Sequence, residues 1–212
     1  MIRSVAVWPR KTAASSPLPD TQLTGERVIL RFPKPEDWRG WAELRSASRD
    51  HLIPFEPEWH EDSLTEALYR RRLTRQARDW RLDLSRSFLI YRRDEGGQPG
   101  AVIGGINLNN ICRGAAQFGS LGYWLGQPYV GHGYMHEAAG LVIAHAFADL
   151  NLHRVNAATL PHNGRSIKML RRLGFEEEGF AKAYIQINSE WQDHVLFGLT
   201  VDSYDGGLDI TA

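Results

Sequence analysis

Between Gly122 and Ala138 the chain reads GYWLGQPYVGHGYMHEA: an apolar strand enters a glycine-bearing loop and passes directly into a long helix. This unit restricts the fold more than any other stretch. Gly131 and Gly133 carry no Cβ, so the backbone there is free to approach a ligand closely. The first turn of the following helix offers N–H groups without intrahelical partners and the positive end of the helix dipole. Together they form an anion site, most naturally for a phosphate or pyrophosphate. The two glycines alone describe a structural turn equally well. A Rossmann-type dinucleotide loop is excluded because His136 stands where the third glycine of G-x-G-x-x-G belongs. A Walker loop is excluded because no Gly-Lys-Ser/Thr follows.

A second informative segment runs from His162 to Phe175. Asn163 suits a helix N-cap, and Ser166, three residues on, shares the same helix end. Around these units the hydrophobic pattern predicts a strand at Arg27–Arg31, with apolar and basic residues alternating as on a half-exposed strand. A helix opens after Pro33 and Pro35, the stretch His51–Trp59 is irregular, and a second helix starts near Ser63, capped by Ser63 and Glu66. Strands follow at Phe88–Arg92, Ala101–Leu108 and Gly119–Leu125, then an amphipathic helix at Met135–Leu150. The chain closes with a strand at Arg154–Leu160, a helix at Gly164–Leu173, and a hairpin of Gly179–Ile187 and Glu190–Thr200 turning at Asn188-Ser189. The pattern is that of a mixed α/β sheet.

The length of 212 residues with 42% hydrophobic content suits one domain with a real core. Lys and Arg number 25 and so do Asp and Glu, so no chain-wide charge draws it to nucleic acid or acidic lipid. The single cysteine, Cys112, cannot close an intrachain disulfide and reads as inert filler. No apolar run reaches the roughly 18 residues of a membrane helix. Val5–Trp8 is too short for a signal-peptide core. A cytoplasmic protein is expected, with no membrane contact. Residues 1–21 are expected as a flexible arm, 22–202 as the domain and 203–212 as a tail.

On these residues the chain resembles the GNAT acetyltransferases of the RimI/RimJ/RimL ribosomal-protein-alanine group, closest to the RimJ type. The resemblance rests on Arg27–Arg31, Phe55-Glu56-Pro57, Ile103–Ile106, Asn109–Gly114, Gly122–Ala138, Pro161–Phe175, Glu178–Lys182 and Trp191–Val195. It implies a central, mostly antiparallel sheet with a V-shaped splay, flanked by helices. It also implies acetyl-CoA as cosubstrate. Backbone groups of Tyr123, Trp124 and Leu125 would hold the pantetheine arm, and Val130, Gly131, His132, Gly133, Tyr134 and Met135 the pyrophosphate. Asn163 would touch the arm from the other side. Val130 stands where the family pattern has Gln or Arg, and Met135 where it has Gly or Ala.

For the chemistry, the resemblance implies Ser166 as proton donor to the departing thiolate, with Tyr184 as runner-up. Glu56 is the candidate for base or amine anchor, set against the plainer role of a solvated loop carboxylate; Glu58, Glu61 and Asp62 are alternatives for a negatively charged wall. Glu137 reads as structural, because a first helical turn welcomes any acid. The late-strand carboxylate of the RimL type is replaced by Ile185. No metal is expected: His132 and His136 lie four apart, yet His132 belongs to the phosphate loop. The arginine-rich helix of residues 70–81 reads as a solvated face, or as a patch docking on ribosomal RNA. The implied acceptor is the α-amine of an alanine-starting ribosomal protein. A small amine, or a non-catalytic CoA-binding or ribosome-assembly role, remains open, as does a monomer or a homodimer.

Overall fold

The computed structural model describes residues 18–205. The expected arm therefore lies largely outside the described residues, as does most of the expected tail. Eight strands form one sheet in the order β1-β2-β3-β4-β5-β6-β8-β7. They are β1 (Gln22–Thr24), β2 (Val28–Arg31), β3 (Arg86–Arg93), β4 (Pro99–Cys112), β5 (Phe118–Leu125), β6 (Arg154–Thr159), β7 (Glu176–Ile187) and β8 (Glu190–Thr200). Every neighbouring pair is antiparallel except β5 and β6. The helices are α1 (Trp38–Ala47), α2 (Arg49–Leu52), α3 (Glu66–Arg81), α4 (Tyr134–Ala148) and α5 (Gly164–Arg172).

Helices cover both faces of the sheet. On one face, Val28, Leu30, Phe88 and Ile90 pack with Ala138, Val142 and Ile143 of α4 and Leu170 of α5. On the other, Ile29, Leu89 and Tyr91 pack with Trp41 of α1, Leu52 of α2 and Tyr69 of α3. This corrects the half-exposed reading of β2: Val28, Ile29 and Leu30 are all buried, because each face of the strand meets a different helical layer. Likewise α4 is not amphipathic. Its buried residues span Met135 to Phe147 on all sides, since Leu23 of β1 and Tyr204 close over the flank that would otherwise meet water.

Local chemistry explains the remaining shifts. α3 begins at Glu66, and its cap is Thr65, whose Oγ1 accepts from the Leu68 N–H at 3.4 Å; the expected Ser63 box is not used. Part of the segment read as irregular forms α2 and a 3-10 turn at Ile53–Phe55. The β7–β8 turn is as expected, with Asn188 and Ser189 both at positive φ, 44° and 68°.

Candidate active site

The sheet opens at its single parallel pair. β5 and β6 are in register only from Phe118↔Arg154 to Leu121↔Ala157. Beyond that point β5 continues to Leu125 paired with β4 alone, and β6 continues to Thr159 paired with β8 alone. Gly122–Leu125 thus turns one backbone edge towards a gap instead of a neighbouring strand. Such an edge is a row of amide donors and acceptors ready for an amide-bearing chain. Tyr123, Trp124 and Leu125 lie on it.

At the end of β5, a 3-10 turn at Gln127–Tyr129 leads to the glycine loop. Gly131 and Gly133 have φ of 89° and 80°, in the left-handed region where a Cβ is strained. Gly133 is the N-cap of α4, and the first intrahelical bond runs from the Glu137 N–H to its carbonyl at 3.2 Å. The N–H groups of Gly133, Tyr134 and Met135 precede that bond. A Cβ placed on Gly131 would meet nothing within 4 Å, so the loop is open on that side. Gly131 and His132 are exposed and Val130 is partly so, but Met135 is buried in the core. Met135 therefore offers the loop its N–H and no side chain.

The loop is held from behind by a contact that sequence reasoning missed. Arg27 donates from Nη1 to the His132 carbonyl at 3.0 Å and from Nε to Glu137 Oε2 at 3.0 Å. Glu137 Oε1 also accepts from the backbone N–H groups of Arg27 at 2.8 Å and Val28 at 3.3 Å. Its side chain is 2% exposed. Glu137 is thus structural: it ties β2 to the first turn of α4.

Across the gap, α5 starts at Gly164 behind the cap Asn163, whose Oδ1 accepts from the Ser166 N–H at 3.2 Å. Ser166 is buried, and its Oγ lies 2.6 Å from the hydroxyl of Tyr123 on β5. Burial pushes the Tyr123 hydroxyl up to about 12, with the Ser166 hydrogen bond pulling the other way, so it stays protonated at neutral pH. Tyr184, the runner-up, lies on β7 and is not part of the Tyr123–Ser166 pair. It is exposed, with its ring 5.8 Å from that of His194.

A cavity of about 760 Å³ adjoins β5, with Gly122, Tyr123 and Trp124 in its wall. Glu56 lines it too. Its carboxylate accepts from Arg45 Nη1 at 3.1 Å, from Arg45 Nη2, and from Trp59 Nε1 at 2.8 Å. Arg45 itself is wedged among aromatic rings, 4.4 Å from that of Trp59 and 4.8 Å from that of Trp124. Glu56 is therefore no free loop carboxylate. The hairpin tip closes the wall: the Asn188 N–H donates to the Glu56 carbonyl at 3.0 Å, and the Ser189 hydroxyl donates to Glu58. Glu58 lines the cavity, whereas Glu61 and Asp62 are exposed in the loop ahead of α3.

The arginine helix is largely the solvated face expected, with Arg70, Arg71, Arg75, Arg78 and Arg81 exposed and Arg72 partly buried. Arg71, Arg72 and Arg75 line the same cavity. Burial first, and then the Arg45 charge, draw the Arg72 guanidinium down to about 10, still protonated at neutral pH. Among the described residues, no group of three or more His, Cys, Asp and Glu gathers as metal ligands. No helix among them is long and apolar enough to cross a membrane.

The geometry has clear counterparts among known proteins. Residues 27–176 match the family described as acetyltransferase (GNAT) domain. The chain is 34% identical over 193 residues to the ribosomal protein uS5-alanine N-acetyltransferase of Escherichia coli K12, covering 91% of this chain and 97% of that one. The crystal structure of the ribosomal-protein-S5-alanine acetyltransferase of Vibrio fischeri superposes with a TM-score of 0.79 at 32% identity, covering 87% of this chain and 99% of that one. Mycobacterium smegmatis RimJ in complex with CoA-disulfide superposes with a TM-score of 0.76 at 28% identity, covering 82% of each chain.

Proposed function

The chain belongs to the GNAT acetyltransferase family and is an acetyl-CoA-dependent N-acetyltransferase, and from that premise we propose that the amine it acetylates is the N-terminal α-amine of an alanine-starting ribosomal protein. The observation that carries this reading is the likeness to the uS5-alanine enzyme over nearly the whole length of both chains. An open cavity of about 760 Å³ beside the β5 edge is also the right kind of place for a chain end.

Acetyl-CoA supplies an activated acetyl group on sulfur. In the proposed site, the edge Tyr123–Leu125 takes the pantetheine amides, the amides of Val130–Met135 take the pyrophosphate, and Asn163 lies on the far side of the arm. Every contact asked of position 130 is through the backbone, so valine serves there. Ser166 passes a proton to the departing sulfur and regains one that the amine sheds through water, while it accepts a hydrogen bond from Tyr123, which holds its own proton because burial raises it to about 12.

The attacking amine must be neutral. An α-amine of pKa about 7.8 is roughly one-third neutral near pH 7.5, a cost of about 0.6 kcal/mol, whereas a lysine at about 10.4 costs nearly 4 kcal/mol. A weak base suffices for the first. Glu56, with both oxygens already sharing donors, keeps lone pairs for a relaying water and fits that modest role.

Purified enzyme with acetyl-CoA and an alanine-starting peptide should release CoA thiol. Its kcat/KM should rise about tenfold per pH unit and level off near pH 8, the α-amine range. Mass spectrometry of ribosomal proteins from cells with and without the gene completes the test. An unchanged N-terminal acetylation pattern rejects this acceptor.

A further inference from the structure

We infer that the α3 side of the acceptor cavity is a subsite for a carboxylate that the acceptor carries close to its amine. The inference rests on the acceptor reading above and adds a chemical requirement to it. The charges facing the cavity divide in two. Glu56 is matched by Arg45, while Glu58 takes only the neutral Ser189 hydroxyl at the hairpin side, so arginines outnumber carboxylates in the lining by four to two. Arg71, Arg72 and Arg75 are left over on the cavity side of α3, Arg75 lying four residues after Arg71 and three after Arg72.

Arg72 is the decisive member. It is partly buried, it also borders a small void lined by Gln76 and Asn107, and it forms no ion pair among the described residues, Glu56 acting on it only at longer range. The contact made by its guanidinium is with the ring of Trp41, 5.8 Å away. On the same helix, Arg70 faces outward and has its own acid, Glu66 at 2.7 Å. The inward arginine thus lacks the partner that the outward one possesses. Burial and the Arg45 charge weigh against this cation, Glu56 offsets them only in part, and an anion arriving in the cavity would relieve the rest.

That anion comes with the acceptor. The cavity is shared between Tyr123, at the gap in the sheet, and the arginines on α3, so one ligand can place its amine at the first and a carboxylate at the second. Its volume of about 760 Å³ suits a short chain end or a small molecule. The carboxylate has two chemical sources: an acidic side chain just after the N-terminal residue of a peptide, or the α-carboxylate of a free amino acid.

The experiment compares kcat/KM for two matched pairs, Ala-Glu against Ala-Gln at the start of one peptide, and alanine against alaninamide. Each is measured with the unaltered enzyme, Arg72→Gln and Arg72→Lys. The acidic member of a pair should win by about tenfold, the usual scale of a charge-assisted hydrogen bond. In Arg72→Gln that advantage should fall below about twofold and in Arg72→Lys part of it should return, while the KM for acetyl-CoA stays put. Preference in the peptide pair places the carboxylate on a side chain. Preference in the amino-acid pair alone keeps the subsite and rejects the N-terminal acceptor. Turnover of the peptides without preference in either pair overturns the subsite and spares that acceptor; no turnover in either pair overturns both. A preference that survives Arg72→Gln overturns the assignment to Arg72.

Discussion

Glu137→Ala is the substitution whose effect follows most directly from the structure. The carboxylate is 2% exposed and accepts from two backbone N–H groups, those of Arg27 and Val28, and from Arg27 Nε. Truncation leaves those backbone donors without their acceptor, at about 1–3 kcal/mol for each group that water does not reach. Breaking a fully buried ion pair costs about 3–5 kcal/mol, but Arg27 is 39% exposed and water replaces part of what it loses. A total of about 4 kcal/mol is expected, which for a chain of this size lowers the Tm by about 8–16 °C. Glu137→Gln keeps an oxygen for the backbone donors and should cost about 1–2 kcal/mol.

The second consequence is functional. Arg27 loses its anchor and with it the hold on the His132 carbonyl, so the phosphate loop loosens. CoA affinity should fall roughly fivefold to tenfold, about 1–1.4 kcal/mol, while kcat at saturating acetyl-CoA changes little. Thermal unfolding, urea titration and calorimetry with CoA measure all three. A stability loss under about 1 kcal/mol in Glu137→Ala would refute the clamp. So would a stable, CoA-binding variant with no turnover, because that outcome makes Glu137 a catalytic acid or base.

Gly133→Ala should cost about 1–2 kcal/mol from its left-handed backbone and weaken CoA binding, since the new Cβ also presses on Arg27 Nη2 at 3.1 Å; an unchanged Tm counts against it. Ser166→Ala should lower kcat by about 10²–10⁴ with KM for acetyl-CoA little changed, and Tyr123→Phe should lower it less; kcat within threefold in Ser166→Ala, against that ~10² minimum, removes Ser166 as proton donor. Tyr69, Tyr91 and Tyr123 all have hydroxyls raised chiefly by burial, so stability should be flat below about pH 10 and fall above it, where the unfolded chain ionises and the folded one resists. Urea unfolding at about pH 9 and 11 checks this, and equal free energies at the two contradict it.

What was legible in the sequence is what local rules determine. The passage from β5 through paired glycines into α4, the Asn163 cap and the Asn188-Ser189 turn each depend on residues a few positions apart. The missed features depend on distant ones. Arg27 and Glu137 are 110 positions apart, and nothing near Arg27 signals that it will reach the phosphate loop. Glu56, read as base or amine anchor or else as a solvated loop acid, gives no sign in the sequence of its Arg45 partner. α3 reads as a charged outer helix because composition does not reveal which of its arginines turn inward. β1 is too short and polar, Gln22-Leu23-Thr24, to show a period, and exists because β2 offers an edge. The apparent amphipathicity of α4 failed for the same reason: what covers its outer flank comes from both ends of the chain.

The strand β5 joins the two halves of the chemistry through the simple alternation of a strand. Consecutive side chains leave opposite faces, so Trp124 packs with Trp41 and Tyr69 in the layer of α1 and α3, while Tyr123 packs against the cluster built on α4 and α5. Trp124 therefore helps wall the cavity next to Arg45, and Tyr123 reaches Ser166 on the side proposed for the departing thiolate. The backbone edge between them is freed because β6 diverges after Ala157. The proposed acceptor wall, cofactor edge and proton relay thus sit within three residues of one strand, and a shift of one residue in its register with β4 would exchange the two faces and undo all three at once. The pairing Gly105↔Trp124 and Ile106↔Tyr123 fixes that register, with Gly105 leaving room for the indole: a Cβ there would stand 2.5 Å from the Trp124 ring nitrogen. Gly105→Ala should accordingly impair turnover and acceptor binding together, from a position that contributes no side chain to either.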